Sequence, residues 1–282
     1  MTDLAGTSNF FLLAVIGLFS LRKFDDRQFI LAILVCIWTL RLGIFLLTRI
    51  LVRRKDSRFD KIRDSALKLA GFWGLQAVWV AITSLPVTLI NSFNGDTPVD
   101  VIDYAGWGMW LVGFLCEAIA DHQRYRFNQK LRDPKGKPFL DTGLWRFSRH
   151  PNYFGEVLLW SGIWVSVANG LWHSHPASAI VGFLSPLITF VLLVFVSGIP
   201  LAEAREDRKN HVLMAYKQYK FCTSVLIPMP RVWYAQMPIW AKKWLFFDRY
   251  QLAFMTPASS SLRDGSPYSF RRPRAKILTN TL

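Results

Sequence analysis

Phe29-Ile-Leu-Ala-Ile-Leu-Val-Cys-Ile-Trp-Thr-Leu-Arg-Leu-Gly-Ile-Phe-Leu-Leu47 is the stretch on which the fold turns. A run of this length and character matches the roughly 20 residues that a helix needs to cross hydrocarbon. Lipid offers backbone N–H and C=O groups no partner, so the run must close its hydrogen bonds internally, as a helix. Five further apolar segments obey the same logic, at 4–21, 69–90, 104–120, 153–171 and 177–199. The first lacks a positive leader and a small-residue cleavage site, and therefore reads as a span rather than a removable signal. The expected fold is all-α, a polytopic membrane bundle of about six transmembrane helices with a cytosolic or interfacial C-terminal helical region.

Composition points the same way. The 282 residues are 52% hydrophobic and 15% aromatic, with 12 Trp and a mean hydropathy of +0.23, an unusual balance for a water-soluble domain. A net charge of +15 raises the question of nucleic acid. A nucleic-acid module gathers its basic residues on one wet face; here apolar runs separate every basic cluster, and no nucleic-acid partner is expected. The charge reads instead as topology, with Lys and Arg held in cytosolic loops near anionic headgroups. Loops 49–68 and 122–150 are rich in Lys and Arg, whereas 91–103 holds Asp96, Asp100 and Asp103 with neither, and 170–176 has none of the four charged types. Alternation then predicts that both termini face the cytosol. Cys36, Cys116 and Cys222 form neither a disulfide framework nor a metal spacing.

Beyond the last apolar run, 203–219 reads as a polar helix. Residues 233–247 read as an amphipathic helix whose Trp240, Lys242, Lys243 and Trp244 suit the membrane surface. The Ser-, Pro- and Arg-rich end is expected to be disordered, giving a membrane domain over 1–250 and a basic tail over 251–282.

The chemistry concentrates in Gly143-Leu-Trp-Arg-Phe-Ser-Arg-His-Pro-Asn-Tyr-Phe-Gly-Glu156. Pro151 suits the first turn of a helix, where its missing N–H is harmless. A helix beginning there turns its positive dipole end and free amides toward any anion, with Arg146 and Arg149 adding charge. One turn deeper, Asn152 and Glu156 share a face by i,i+4 spacing and Tyr153 stands beside Glu156 at i,i+3. A carboxylate so far into a span needs a partner or a function. The preceding span ends in a matching set, Glu117, Asp121 and Arg124, which also reads as a plain salt bridge at the interface. A third group, Glu203, Arg205, Tyr216 and Tyr219, follows the last span.

At these residues the sequence resembles the family defined by the C-terminal domain of steroid 5-alpha-reductases, in particular its uncharacterised fungal and bacterial membrane proteins. The matching stretches are Trp38-Thr-Leu-Arg-Leu-Gly43, Asp56-Ser-Arg-Phe-Asp60 with Arg63, Asp121-His-Gln-Arg124 with Phe127, and Gly143 to Glu156. They continue through Ser197-Gly-Ile-Pro-Leu-Ala-Glu-Ala-Arg205 and Tyr216-Lys-Gln-Tyr219 to Thr223 and Leu226-Ile-Pro228. The resemblance implies a helical bundle whose cytosolic half holds NADPH and whose membrane half accepts a flat, lipid-soluble enone or sterol-like substrate. It places Asp121, Arg124, Arg149, His150, Asn152, Tyr153, Glu156, Arg205, Tyr216 and Tyr219 where the cofactor is held. Arg124 stands where Lys is more usual, which keeps the charge and changes its geometry. The carbonyl-polarising Tyr and Glu of characterised steroid reductases lie in earlier spans and find no match here, so Glu117 and Tyr153 are taken as the candidate proton donors.

The expected activity is NADPH-dependent reduction of an activated C=C bond by a protein of the endoplasmic reticulum membrane, with lipid and a lipid-soluble substrate as partners and no metal. Two alternatives stay open. The Arg-His-Pro-x-Tyr-x-Gly element is also similar to one in isoprenylcysteine and phospholipid methyltransferases, which use S-adenosylmethionine. The unmatched catalytic pair is equally compatible with a non-catalytic lipid-binding protein.

Overall fold

A computed structural model describes residues 2–20, 25–53, 65–93, 98–130 and 138–248. The quoted stretch lies within α2 (Asp26–Arg53), preceded by α1 (Thr2–Phe19) and followed by α3 (Ala66–Thr83), α4 (Leu85–Ser92) and α5 (Val101–Lys130). After a 3₁₀ turn at Gly143–Arg146 come α6 (Pro151–Leu171), α7 (Pro176–Gly182) and α8 (Leu184–Val191), then a π-helical turn, Leu192–Val196. The last elements are α9 (Ile199–Asn210), α10 (Met214–Cys222), α11 (Arg231–Gln236) and α12 (Ile239–Trp244). The described residues contain no strand, only an isolated bridge between Ser148 and Ser224. The all-α bundle is therefore as expected. Met1–Asp248 form one compact unit. The proposed tail, 251–282, lies outside the described residues, as does most of the basic loop at 54–64.

Three helical stretches among the described residues are long and apolar enough to cross a membrane, Asp26–Thr48, Ala66–Thr83 and Pro176–Asn210, and Gly6–Phe19 is a shorter apolar helix. The chain is a membrane protein. α5 and α6 owe less to lipid and more to each other. α6 is the central post: Leu159, Trp160, Ile163, Val167 and Leu171 are fully buried, and Trp38 meets both Phe10 and Trp160 edge-on. Such a helix is solvated by neighbouring helices, so it tolerates Gly, Ser and Asn that a lipid-facing helix would not.

Several expected single helices are broken. The segment 69–90 divides at Ser84, whose hydroxyl donates back to the Val80 carbonyl at 2.7 Å, just before Pro86. The apolar run 177–199 is interrupted at Phe183 and again by the π turn. The 233–247 helix becomes two, because Pro238 forces Met237 into an extended conformation (ψ 139°).

At the end of the bundle away from the π turn, Arg27 and Asp103 form a fully buried ion pair at 2.7 Å, with Ser166 and Asn169 also donating to Asp103. The α5–α6 contact runs inward from there on glycine. A Cβ on Gly106 would meet the Gly162 carbonyl at 2.7 Å, and one on Gly113 would meet the Gly155 carbonyl at 2.6 Å. Small residues at seven-residue spacing on both helices let the backbones touch.

Candidate functional site

The start of α6 is clamped before it begins. Arg149 N–H donates to the Ser224 carbonyl at 2.8 Å, Ser148 Oγ to Leu226 at 2.7 Å, and Met229 N–H to Phe147 at 3.1 Å. Gly143 turns the incoming loop at φ +62°, a conformation that favours glycine, and Gln123 of α5 accepts the N–H of Leu144 at 3.0 Å. Pro151 then opens α6 with His150 at the N-cap and no side-chain cap, so its first amides are left for another partner.

A cavity of about 730 Å³ opens beside this terminus, among α2, α5, α6 and α9. Eight of the residues singled out in the sequence line it: Glu117, Asp121, Arg124, His150, Asn152, Tyr153, Glu156 and Arg205. Leu42, Phe45 and Leu46 of α2 supply an apolar wall opposite them, while Glu206 and Lys209 extend the α9 side.

The deep end is organised by Arg41. Its guanidinium pairs with Glu117 and, at 2.8 Å, with Asp121, while the indole N–H of Trp38 donates to Glu117 at 3.1 Å. Asn152 Nδ2 donates to Asp121 at 3.3 Å, leaving the amide oxygen of Asn152 buried without a hydrogen-bond partner among the described residues. The Glu156 carboxyl lines the cavity and makes no hydrogen bond or ion pair with them. His150 and Tyr153 stack with centroids 5.3 Å apart and planes 6° apart. Nearer the mouth, Arg124 lies over the Trp145 ring at 4.3 Å and reaches Glu206 at 3.3 Å.

Three of the sequence-derived residues face elsewhere. Arg149 is buried against Asp248 at 2.7 Å and Glu203 at 3.5 Å, so its charge is already neutralised within the protein. Tyr219 donates to the Trp145 carbonyl at 2.8 Å and Tyr216 to Asp207 at 2.8 Å. Burial pushes both phenols up from their ordinary range, so they act as neutral donors. These residues brace the site from behind. Glu203 is the hub of that brace, taking Lys220 at 2.7 Å and His150 at 2.9 Å. Burial holds the His150 imidazole below its ordinary pKa, with the Glu203 contact pulling the other way.

A family model described as "Protein of unknown function (DUF1295)" matches residues 1–223. The chain belongs to that family. No curated protein and no solved structure matches it. The DUF1295 match ends at Thr223, one residue before Ser224 begins the clamp on the start of α6, and it contains every residue lining the cavity.

Among the DUF1295 residues to which the sequence assigned no site role, Arg41, within the matching stretch 38–43, matters most. Its signal was present, a lone cation inside an apolar run, which by itself asks for a buried acidic partner. Glu206 and Lys209 had no such signal, because charged residues on a polar helix are ordinarily solvated.

Proposed function

We propose that this protein is a membrane-embedded reductase that uses NADPH to reduce an activated C=C bond in a lipid-soluble substrate. The observation that carries the reading is the cavity itself, cationic toward α9, hydrogen-bonding at the start of α6 and apolar along α2. Its volume of about 730 Å³ falls within the roughly 300–1,000 Å³ usual for ligand sites. The residues present fit the cofactor: Arg124, Arg205 and Lys209 supply charge for phosphates, and the unpartnered oxygen of Asn152 is an acceptor for a carboxamide or ribose hydroxyl.

A bound reduced nicotinamide would supply hydride; the chain's own groups would do the rest. Arg41 fixes Glu117 and Asp121, and through Asp121 the amide of Asn152. Tyr153, whose hydroxyl bonds none of the described residues, would donate the proton that polarises the substrate carbonyl. Glu117 serves that reading less well as a donor, since Arg41 and Trp38 already occupy it. Leu42, Phe45 and Leu46 would exclude water from the reacting carbons. About six spans would follow from the apolar segments, both termini cytosolic from the charge asymmetry of the loops, and residence in the endoplasmic reticulum rests on the steroid-reductase resemblance.

Calorimetric titration tests it. NADPH should bind with micromolar-range affinity, and Asn152→Ala or Arg205→Ala should weaken it by about 1 to 3 kcal/mol. Negligible heat from NADPH with the folded protein ends the reading. One observation favours a second: Glu156, a cavity-lining carboxyl that forms no ion pair or hydrogen bond with the described residues, would suit the positive sulfonium of S-adenosylmethionine. Binding of S-adenosylhomocysteine without NADPH would select a methyltransferase, and co-purified lipid with neither ligand would select a lipid-binding protein.

A further inference from the structure

α11 and α12 bear a surface that the cavity does not use. Trp233, Trp240 and Trp244 are each about two-thirds exposed (66%, 63% and 65%), beside exposed Val232, Ile239 and Leu245. Three large aromatic rings standing clear of a protein surface mark a contact with something apolar. The inner side of the same element is well held. Tyr234 is fully buried and donates to Asp248 at 2.6 Å. Lys242 is turned inward, donating to the Phe221 carbonyl at 3.0 Å and lying over the Phe221 and Tyr234 rings. The outward face is therefore a designed side of an anchored element, and not a loose end.

Its position identifies the partner. Asp248, one end of the element, also takes Arg149, two residues before α6. Phe247 packs against Phe190 of α8 and Phe195 of the π turn, at 5.3 and 5.4 Å between centroids. Those contacts tie the element to the second half of the apolar run 177–199, just before the stretch Pro176–Asn210 turns polar at Glu203 of α9. Trp240, Lys243 and Trp244 share one face of α12 by i,i+3 and i,i+4 spacing, and Lys243 lies 5.4 Å from the Trp244 ring centroid. Tryptophan beside lysine at the rim of a bundle is the chemistry of the lipid–water boundary: the ring sits at headgroup depth and the ammonium among phosphates.

We propose that α11–α12 is a membrane foot, in which Trp240 and Trp244 seat in the lipid–water interface of the leaflet at the cavity end and Lys243 binds anionic headgroups. The foot extends the bundle's grip on the bilayer beyond its crossing helices. Since it shares Asp248 with Arg149, it also fixes the height of the cavity relative to the lipid from which a substrate would arrive. The seating itself does not depend on what the cavity binds.

The test uses full-length protein in nanodiscs of phosphatidylcholine with phosphatidylserine. In a background with the three native cysteines replaced, a nitroxide is attached at Trp240→Cys and, as a water-exposed reference, at His211→Cys. The expected result is strong relaxation of the position-240 label by oxygen and weak relaxation by a water-soluble nickel chelate, with the reverse at position 211. Lys243→Glu should draw the 240 label toward water, and more so as phosphatidylserine is raised. A 240 label as accessible to nickel as the reference overturns the proposal. So does a label reached by neither agent, which would place a protein partner on this face. Amide exchange across 239–244 in the unmodified protein, protected in nanodiscs and lost when phosphatidylserine is omitted, would support the seating without any substitution.

Discussion

Arg41 illustrates what a single side chain does in this molecule. It holds Glu117, whose side chain is only 5% exposed, and Asp121 in one cluster. Replacing it with methionine would strand a buried carboxylate, with an expected loss of about 3 to 5 kcal/mol. Adding Glu117→Gln should recover a large part of that. Unfolding in detergent micelles measures both, and equal stability of the single and double variants would contradict the buried pair. His150 is faced by Glu203, Arg149 and Arg124 and titrates below its ordinary value chiefly through burial. The unfolded chain, near a pKa of about 6.5, takes up its proton first. The stability tied to this residue is therefore intact above about pH 6.5 and is lost as pH falls toward the lower folded value. His150→Gln should flatten the thermal midpoint over that acidic window. The sequence showed most of this site, since residues spaced by three and four at the start of α6 must share a face. It did not show that Arg149 turns away, because its partner Asp248 lies 99 residues on in a stretch with no pattern pointing back.

At the scale of elements, the glycine seam between α5 and α6 makes the sharpest prediction. A methyl group on Gly113 or Gly155 would meet backbone of the facing helix at 2.6 and 2.5 Å, where nothing flexible can yield. Gly113→Ala should destabilise by about 1 to 3 kcal/mol through overpacking. Gly108→Ala, in the same helix with nothing within 4 Å of the added methyl, should be neutral or slightly favourable. Parallel thermal unfolding of the two variants separates packing from helix propensity. Helix existence was readable from apolar runs because lipid enforces it. Helix breaks were not: Ser84 back-bonding and the π turn are local choices that an apolar stretch conceals. Pro86 and Pro238 were breaks visible in the letters, hidden beneath the apolar and aromatic patterns around them.

For the whole molecule, the buried ions behind the cavity join distant parts of the chain. Asp248 takes Arg149 and Tyr234 together, with almost no exposure. Asp248→Ala should lower stability by about 3 kcal/mol and loosen α11–α12 from the start of α6. Glu206→Ala, which removes a contact whose partners are 26% and 24% exposed, should change stability by less than about 1 kcal/mol. Amide exchange across 231–245 would register the first change and not the second. The glycine seam has a consequence at this scale too. Because α5 and α6 meet backbone to backbone, the polar half of the chamber is cast in one piece and resists remodelling. A laboratory selection for new ligand preference should therefore collect its successful changes on the opposite rim, at Leu42, Phe45 and Leu46 of α2 and Ala202 of α9, and leave the glycines untouched.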